Sequence, residues 1–392
     1  MTDFIEVLNS LGDDPKERFH ELQQCPVARV ASNDSTVRSV LRDDDTWSSK
    51  FGPGLSFGDP TNTGTVLVSS DPPIHTDERI AISRLFKPST IEAMGPDILL
   101  LVDGLLDHIA DRGEGDLIRD LAMALPLTVM CWMLGTPVED IEQFRNWVMP
   151  MAEGVALPAG RNADHVRDAY VGFYNYFNAH IAARRIAIDA GDDAPDDLLT
   201  RLLTVEREGR RLSEAQVLGF CQFLMVAGSA TTTLLIGNLV SRLLEHPDQL
   251  ALVIADRTLV ANAIEESLRL DAPVHGLFRT NNCPVELNGE TVPADSKVLV
   301  MFGAANIDPD LWVDPDRFDI TRDLQQLRRN VAFGHGIHYC LGAPLARLEA
   351  TVALNRVLDR LPGLRRSGPS ESVAAAVLHG FETFPIDWKP AI

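Results

Sequence analysis

The ten residues from Phe333 to Gly342, Phe-Gly-His-Gly-Ile-His-Tyr-Cys-Leu-Gly, constrain this chain more than any other stretch. Gly334 and Gly336 precede the cysteine, allow positive φ, and leave room for a flat ligand to approach the backbone. From Gly342 onward the sequence has a helical pattern, which places Cys340 at the N-terminus of a helix. Free N–H groups and the helix dipole favour a thiolate over a thiol there. The loop therefore predicts a metal-bound thiolate.

Other interpretations of this loop fit less well. A zinc site made of His335, His338 and Cys340 would need a fourth ligand, and it lacks paired-cysteine spacing. A dinucleotide-binding loop would need a third glycine where Tyr339 stands. Covalent attachment of a c-type haem would need Cys-x-x-Cys-His, which does not occur in the sequence. A buried structural cysteine would be the usual interpretation of Cys340 taken alone.

Length and composition indicate one large soluble unit. The 392 residues contain no linker, low-complexity tract or internal repeat, so we expect a single domain over residues 1–392. A mainly α chain of this length with a small β-rich region can bury a cofactor-sized cavity. The formal charge of −21, from 35 basic and 56 acidic residues, argues against nucleic acid and against an anionic membrane surface.

The cysteines and the N-terminus indicate the compartment. Five scattered cysteines, an odd number, argue against a disulfide framework and for a reducing environment. The first residues lack a basic region followed by an apolar core, and we expect no apolar span of about 18 or more residues. We therefore expect a cytoplasmic protein without a membrane anchor.

Apolar periodicity predicts several helices and one hairpin. The predicted helices cover residues 73–86, 98–109, 117–134, 138–152, 163–190, 213–245, 259–270 and 345–361. Ser213 and Gln216 form a capping box at the start of the longest one. That helix is apolar nearly all round, so it should cross the protein interior. Asn288-Gly289 predicts the turn of a β-hairpin over residues 285–292.

Two further motifs lie upstream of the cysteine. His75 and Arg79 are one helical turn apart and can together hold a carboxylate by charge-assisted hydrogen bonds. Taken alone, they would usually be interpreted as a solvated helix face. The small residues from Ala227 to Thr232 lie within the long helix, where they allow a flat ligand to lie against it. Their hydroxyl groups can disturb the helical hydrogen bonding locally.

These motifs together resemble those of the cytochrome P-450 family. The loop matches the family pattern Phe-Gly-x-Gly-x-His-x-Cys-x-Gly at every fixed position, and the other motifs follow the family's order from about Asp71 to the C-terminus. The resemblance implies the P-450 fold, with a long central helix over a buried haem b (iron protoporphyrin IX). It also implies that Cys340 is the iron ligand, whose thiolate donates electron density and favours O–O cleavage.

The resemblance also implies roles for other residues. Those that would contact the haem are His75, Arg79, Ala227, Gly228, Arg279, Phe333, His338, Cys340 and Gly342. Among these, His75, Arg79, Arg279 and His338 fall at propionate-binding positions. Glu266, Arg269 and Arg317 match a buried structural ion-pair network of the family and are not expected to be catalytic.

Thr231 matches the family's catalytic threonine, but Ala230 stands where the family usually has an acid. This is the one clear departure from the family pattern. By family analogy, residues from four segments and the C-terminal turn would line the substrate pocket: Phe57, Val226, Ser229, Ala230, Val274, Leu277 and Phe381. We also expect Ser229, His275 and His379 to add some polarity to this pocket.

The resemblance implies a bacterial-type monooxygenase that inserts one atom of dioxygen into a mostly apolar small molecule. Electrons would come from a separate acidic ferredoxin and an NAD(P)H-dependent reductase, since no redox module is fused to the chain. The candidate docking residues are Arg84, Lys87, Arg328, Arg329 and Arg347. One alternative, motivated by Ala230, is a peroxide-driven or substrate-assisted enzyme. Another is a haem-binding sensor without turnover.

Overall fold

The structure, a computed structural model, describes residues 16, 19–20, 29–54, 64–156, 163–207, 210–373, 375 and 377–390. The predicted pocket residue Phe57 lies outside these residues. The α-helices, in chain order, are α1 Asp34–Arg42, α2 Ile74–Ser83, α3 Pro88–Ala93, α4 Gly95–Asp107, α5 Ala124–Leu134, α6 Ile141–Ala156, α7 Ala163–Ala190, α8 Leu198–Thr204, α9 Glu214–Glu245, α10 Pro247–Ala255, α11 Val260–Leu270, α12 Phe302–Ala305, α13 Leu324–Leu327 and α14 Ala343–Arg360.

The central helix α9 begins as predicted. The Ser213 hydroxyl accepts from the Gln216 N–H, while the Gln216 side chain accepts from the Ser213 N–H, which completes the capping box. Residues 232–241 of the helix are all buried. By length and composition alone α9 could cross a membrane, but 72% of its most apolar 18-residue window is buried inside the protein. It is the apolar centre around which the other helices pack.

Two predicted helices differ from the structure at their N-terminal ends. Residues 117–134 were predicted as one helix, but a π-helical segment, Ile118–Ala122, precedes α5. Similarly, the 3₁₀ turn Val138–Asp140 precedes α6. Apolar periodicity does not distinguish these tighter or wider turns from an α-helix, because all three keep one face apolar.

The β-rich region consists of small sheets. The largest has the order β1-β9-β6-β2, in which β1 (Val30–Ala31) runs parallel to β9 (Lys297–Met301), and β6 (Gly276–Asn281) is antiparallel to both β9 and β2 (Trp47–Ser48). The remaining strands are β3 Glu114–Asp116, β4 Glu206–Arg207, β5 Arg210–Arg211, β7 Val285–Leu287, β8 Glu290–Val292, β10 Arg365–Arg366, β11 Glu371–Ser372, β12 Phe381–Thr383 and β13 Pro385–Asp387.

The predicted hairpin is confirmed. Strands β7 and β8 pair antiparallel with Val285 opposite Val292. Asn288 and Gly289 have φ of 56° and 78°, which are the positive values that a type I′ turn requires.

The helices and the largest sheet bring three parts of the candidate site together. Strand β6 carries Arg279, helix α2 carries His75 and Arg79, and the loop before α14 carries Cys340. The rings of His75 and His338 lie 4.2 Å apart between their centroids, so the helix and the loop meet directly. Motifs separated by up to 265 positions in the sequence thus share one place in the fold.

Candidate active site

The cysteine loop has the tight geometry that its glycines predicted. Gly334 and Gly336 both have φ of 71°, a conformation that strains residues with a Cβ. The loop is closed by the Cys340 N–H, which donates to the Phe333 carbonyl at 2.9 Å. A Cβ at Gly336 would lie 2.2 Å from the carbonyl oxygen of Leu41, so this glycine is also needed where the loop meets α1. The sulfur is therefore presented by a rigid turn.

Two opposing effects act on the pKa of Cys340. Burial raises the pKa of the thiol, although the N–H groups of Gly342 and Ala343 and the charges of Arg79 and Arg347 act in the opposite direction. The N–H groups at the helix N-terminus therefore act on the sulfur in the predicted direction, but burial outweighs them. A bound metal ion would reverse this balance, since a coordinating thiol is deprotonated.

Four cationic or potentially cationic side chains gather beside the loop, which we call the cation cluster: His75, Arg79, Arg279 and His338. Arg79 Nη2 donates to the Tyr339 carbonyl at 2.7 Å. The buried Arg279 guanidinium has one nitrogen, Nη1, without a hydrogen-bond partner. Burial, with the nearby charge of Asp71 opposing it, lowers the pKa of Arg279 to about 10.

Burial and the nearby positive charges also lower the pKa of both histidines in the cation cluster. Burial, followed by the charges of Arg279, His75 and Arg79, lowers the pKa of His338 to about 2. The pKa of His75 is also lowered, by burial and then by the two arginines. A buried arginine with an unpartnered donor, surrounded by groups that suppress each other's protonation, is suited to an anionic ligand.

One face of the central helix is partly exposed within an otherwise buried part of the protein. Phe223, Val226, Ala227 and Thr231 are each partly exposed, and they share one side of α9 by their spacing. The Thr231 hydroxyl donates to the Ala227 carbonyl at 2.7 Å. Ala230 lies on the same side by spacing but is only 2% exposed.

Two neighbouring residues on this helix differ in their surroundings. Ser229 points away from that face, is buried, and its Oγ has no hydrogen-bond partner. Gly228 faces α5, since a Cβ at this position would lie 2.6 Å from the sulfur of Met130. Ser229 therefore does not line the exposed face, whereas Gly228 is partly exposed and packs closely against α5.

Three predicted pocket residues are partly exposed, in line with a cavity-lining position: Val274, Leu277 and Phe381. Val274 forms an isolated β-bridge with Leu378, which connects the segment before β6 to the C-terminal turn. Phe381 lies beside the central helix, because its ring comes within 3.7 Å of the position of a Cβ at Gly237.

The expected pocket polarity from His275 and His379 is wrong. The two rings stack with centroids 4.5 Å apart, and His379 Nε2 lies 3.4 Å from a carboxylate oxygen of Asp271. Arg242 donates to the same carboxylate at 2.6 and 2.8 Å. Because these side chains bind one another, they form a separate polar cluster at the end of α9, which we call the Asp271 cluster: Arg242, Asp271, His275 and His379.

The predicted structural network is present, but with a different third arginine. Glu266 and Arg269 are fully buried and paired, with Nε to Oε2 at 2.7 Å. The second guanidinium at Glu266 belongs to Arg322, whose Nε lies 3.2 Å from Oε1. Arg317 contributes only its carbonyl, which accepts from Arg269 Nη2 at 3.0 Å, while its side chain is exposed. The prediction for the Arg317 side chain was wrong.

One further residue near the site was not predicted. Lys297 is buried, and its Nζ donates to the carbonyls of Phe51 at 2.9 Å and Gly52 at 2.7 Å. Burial, followed by the charge of Arg279, lowers the pKa of Lys297 to about 8. A lysine on a strand gives no signal in a single sequence, because its partners are backbone atoms of a distant loop.

The arrangement fits a haem. The unpartnered Arg279 nitrogen and the cation cluster suit two propionates. The sulfur of Cys340 belongs to the same loop as His338, a member of this cluster. The face of α9 provides an apolar wall with one hydroxyl, Thr231. Among the described residues, no group of three or more His, Cys, Asp or Glu side chains could hold a metal ion, which removes support from the zinc alternative.

Comparisons with known proteins agree with this geometry. Residues 138–362 match the family model described as cytochrome P-450. The chain is 38% identical over 338 residues to cytochrome P-450 107B1 of Saccharopolyspora erythraea, covering 85% of this chain and 79% of that protein. It is 38% identical over 329 residues to the cytochrome P-450 monooxygenase PikC of Streptomyces venezuelae, covering 82% and 76%.

The solved structures agree as well. The crystal structure of CYP109E1 from Bacillus megaterium in complex with testosterone superposes with a TM-score of 0.85 at 28% identity, covering 96% of this chain and 98% of that one. The helical architecture and the small sheets are those of the same fold. This chain is a member of the cytochrome P-450 family, an oxygen-incorporating oxidoreductase whose cofactor is haem b.

Proposed function

We propose that Cys340 is the axial iron ligand and that the cation cluster binds the haem propionates. The single observation that carries this proposal is the buried Arg279 guanidinium with an unpartnered nitrogen, next to the paired rings of His75 and His338. When bound, the haem would supply the activation of dioxygen for insertion into a C–H bond or double bond. The protein would supply the thiolate, the propionate contacts and the apolar wall.

Haem retention tests the cation cluster. Replacing Arg279 by methionine should lower haem content and haem affinity, because a buried charge-assisted contact to a carboxylate is lost. Arg365→Met is a surface control, since Arg365 is exposed and pairs with Asp387 on the neighbouring strand β13. Equal haem affinity in the two variants would contradict the assignment.

The spectrum of the ferrous carbon monoxide complex tests Cys340 separately. Cys340→Ser should lose the red-shifted Soret band that a thiolate ligand gives. A variant that kept this band would exclude Cys340 as the ligand, whatever the outcome at Arg279.

We further propose that Thr231 assists proton delivery on the face of α9 and that substrate or ordered water replaces the missing acid at Ala230. Thr231 is the hydroxyl on the partly exposed face, and it is held by its bond to the Ala227 carbonyl. A hydroxyl donates and accepts hydrogen bonds but has no pKa near neutrality, so it can order a proton path without being its acid.

Thr233 provides a matched control for this role. It makes the same hydrogen bond to the carbonyl four residues earlier, at 2.9 Å to Ser229, but it is buried. Thr231→Val should raise the peroxide released per NAD(P)H consumed, and Thr233→Val should not. If both variants kept the wild-type ratio, Thr231 would have no part in proton delivery.

A peroxide-driven reaction is the second candidate, favoured by the buried Ala230. It predicts faster turnover with added peroxide than with the full electron-transfer chain. Ala230→Glu should then not speed up the peroxide-driven reaction. In the dioxygen reaction, the same variant should form more product per NAD(P)H consumed.

We propose a mostly apolar substrate, contacted by Val226, Val274, Leu277 and Phe381. These side chains are apolar and partly exposed, and the structural relative CYP109E1 binds testosterone, a rigid apolar molecule. A screen of apolar ligands by the shift of the haem Soret band tests this class. Polar ligands giving the only shifts would contradict it.

The proposed electron donor is an acidic ferredoxin with its NAD(P)H-dependent reductase, in a cytoplasmic setting. Arg84, Lys87, Arg328 and Arg329 are exposed, so they can meet an acidic partner locally despite the net charge of −21. Reversing these four charges should slow reduction and flatten its salt dependence. An unchanged reduction rate would place the docking face elsewhere.

A further inference from the structure

Arg347 does not belong with the exposed docking residues. It lies on α14, seven residues after Cys340, and its guanidinium is turned inward to Glu265. Nε donates to Glu265 Oε1 at 2.5 Å, and Nη2 donates to Oε2 at 3.2 Å. The Glu265 side chain is only 2% exposed, and Asn330 Nδ2 donates to its Oε2 at 3.0 Å. The fork of Arg347 is therefore occupied by a buried carboxylate.

The other side of Arg347 contacts the cysteine loop at two points. Its guanidinium carbon lies 4.5 Å from the ring centre of Phe333, in a cation–π arrangement. Its Nη1 lies 3.4 Å from the hydroxyl of Tyr339. Phe333 accepts the Cys340 N–H with its carbonyl, and Tyr339 immediately precedes the cysteine. Arg347 thus contacts two side chains of the cysteine loop.

Glu265 connects this arrangement to the core. It lies next to Glu266 on α11, within the helix that carries the buried ion-pair network with Arg269. The position of Arg347 is therefore fixed by a buried carboxylate on a rigid helix. The planar guanidinium of Arg347 in turn packs against the ring of Phe333 in the cysteine loop.

We propose that Arg347 is a positioning residue for the iron–sulfur bond and that the Glu265–Arg347 pair sets the reduction potential of the haem. This inference rests on the proposal that Cys340 is the iron ligand. A positive charge near the iron–thiolate unit favours the reduced state, which carries one more electron, and Glu265 opposes that charge. Removing Arg347 should therefore lower the potential, and removing the charge of Glu265 should raise it.

The test compares haem-loaded variants by their midpoint potentials and by the Soret band of their ferrous carbon monoxide complexes. Arg347→Leu should lower the potential, and Glu265→Gln should raise it. The expected change in the one-electron equilibrium is about threefold or more, equivalent to about 28 mV. Arg347→Lys keeps the charge but loses the planar fork, so it should keep most of the potential with a less stable thiolate band.

Arg356→Leu is the matched control, because it removes one positive charge from the same helix, where Arg356 pairs with Asp103 at 2.6 Å. It should leave the potential unchanged. Shifts in the same direction for Arg347→Leu and Glu265→Gln would overturn the proposal, since general damage to the loop gives one direction only. An unchanged potential in both variants would overturn it as well.

The same measurements distinguish a failure of the role of Arg347 from a failure of the assignment of Cys340. If Arg347→Leu does not retain haem, Glu265→Gln still decides the sign of the effect, and Arg347→Lys still tests the planar fork. If the wild-type protein itself lacks the thiolate band, the assignment of Cys340 fails, and not only the role of Arg347. A docking role for Arg347 would instead change the salt dependence of reduction at a constant potential.

Discussion

Replacing Arg322 by methionine should destabilise the protein, whereas the same change at Arg317 should not. Arg322 Nε lies 3.2 Å from an oxygen of Glu266, which is fully buried, and the Arg322 side chain is 9% exposed. A hydrogen bond to a charged group contributes about 1.5–3 kcal/mol, and methionine keeps much of the apolar stem. The other acceptors of Arg322, the carbonyls of Val313, Asp314 and Arg317, belong to exposed residues and can bind water instead.

The expected loss for Arg322→Met is therefore about 2–3 kcal/mol. For a chain of this length, with an unfolding entropy of about 2.1 cal/mol/K per residue, this corresponds to a melting temperature lower by about 2–4 °C. Arg317 is 63% exposed in its side chain and 4.0 Å from Asp319, so Arg317→Met should change stability by less than about 0.5 kcal/mol.

Urea unfolding of the haem-loaded proteins, followed by circular dichroism and by the Soret band, measures both variants. Arg269→Met should be the most destabilising of the three variants, because it leaves Glu266 without its closest partner. The expected loss of unfolding free energy is about 3–5 kcal/mol. Equal effects of Arg317→Met and Arg322→Met would refute the view that the Arg322 side chain completes the network.

Two further predictions concern other buried contacts. Gly219→Ala should destabilise the protein by about 1–3 kcal/mol in urea unfolding, because its Cβ would lie 1.9 Å from the carbonyl oxygen of Gly64. Gly104→Ala, where a Cβ meets nothing within 4 Å, should instead stabilise by about 0.5–1 kcal/mol, and the opposite order would refute the packing argument. Burial raises the pKa of Asp271, but hydrogen bonds and charges of its arginine and histidine neighbours lower it well below its usual value. The stabilisation that ionised Asp271 contributes is thus present above about pH 4 and is lost as the pH falls further. Asp271→Asn should therefore reduce the slope of the unfolding free energy against pH by up to about 1.4 kcal/mol per pH unit between pH 4 and 2. An unchanged slope would refute this role of Asp271.

The sequence predicted the parts of the fold that depend on local signals. The capping box at Ser213 and Gln216 placed the start of the central helix, and the predicted helix over residues 163–190 coincides with Ala163–Ala190. The Asn288-Gly289 turn also follows from the two residues alone, because few residue pairs accept two positive φ angles. In each case, the residues that determine the conformation are neighbours in the chain.

The side-chain network at Glu266 could not be predicted in the same way. Arg317 and Arg322 lie in one irregular segment, and either could reach the carboxylate by sequence distance. The backbone path of that segment decides between them, and periodicity gives no information on irregular backbone.

The two sides of the candidate site differ in how strongly they are fixed. On the sulfur side, a glycine turn, a buried ion pair and a cation–π contact determine the position of Cys340. On the opposite side, the partly exposed described residues of the α9 face carry one hydroxyl, that of Thr231, and no carboxylate. Under the proposed role of Thr231, a proton reaches this face through water or a substrate group, because neither a hydroxyl nor an alanine exchanges protons efficiently near neutral pH. Coupling of electron use to product should therefore depend on how well each substrate orders that water, more than in a relative with an acid beside its threonine.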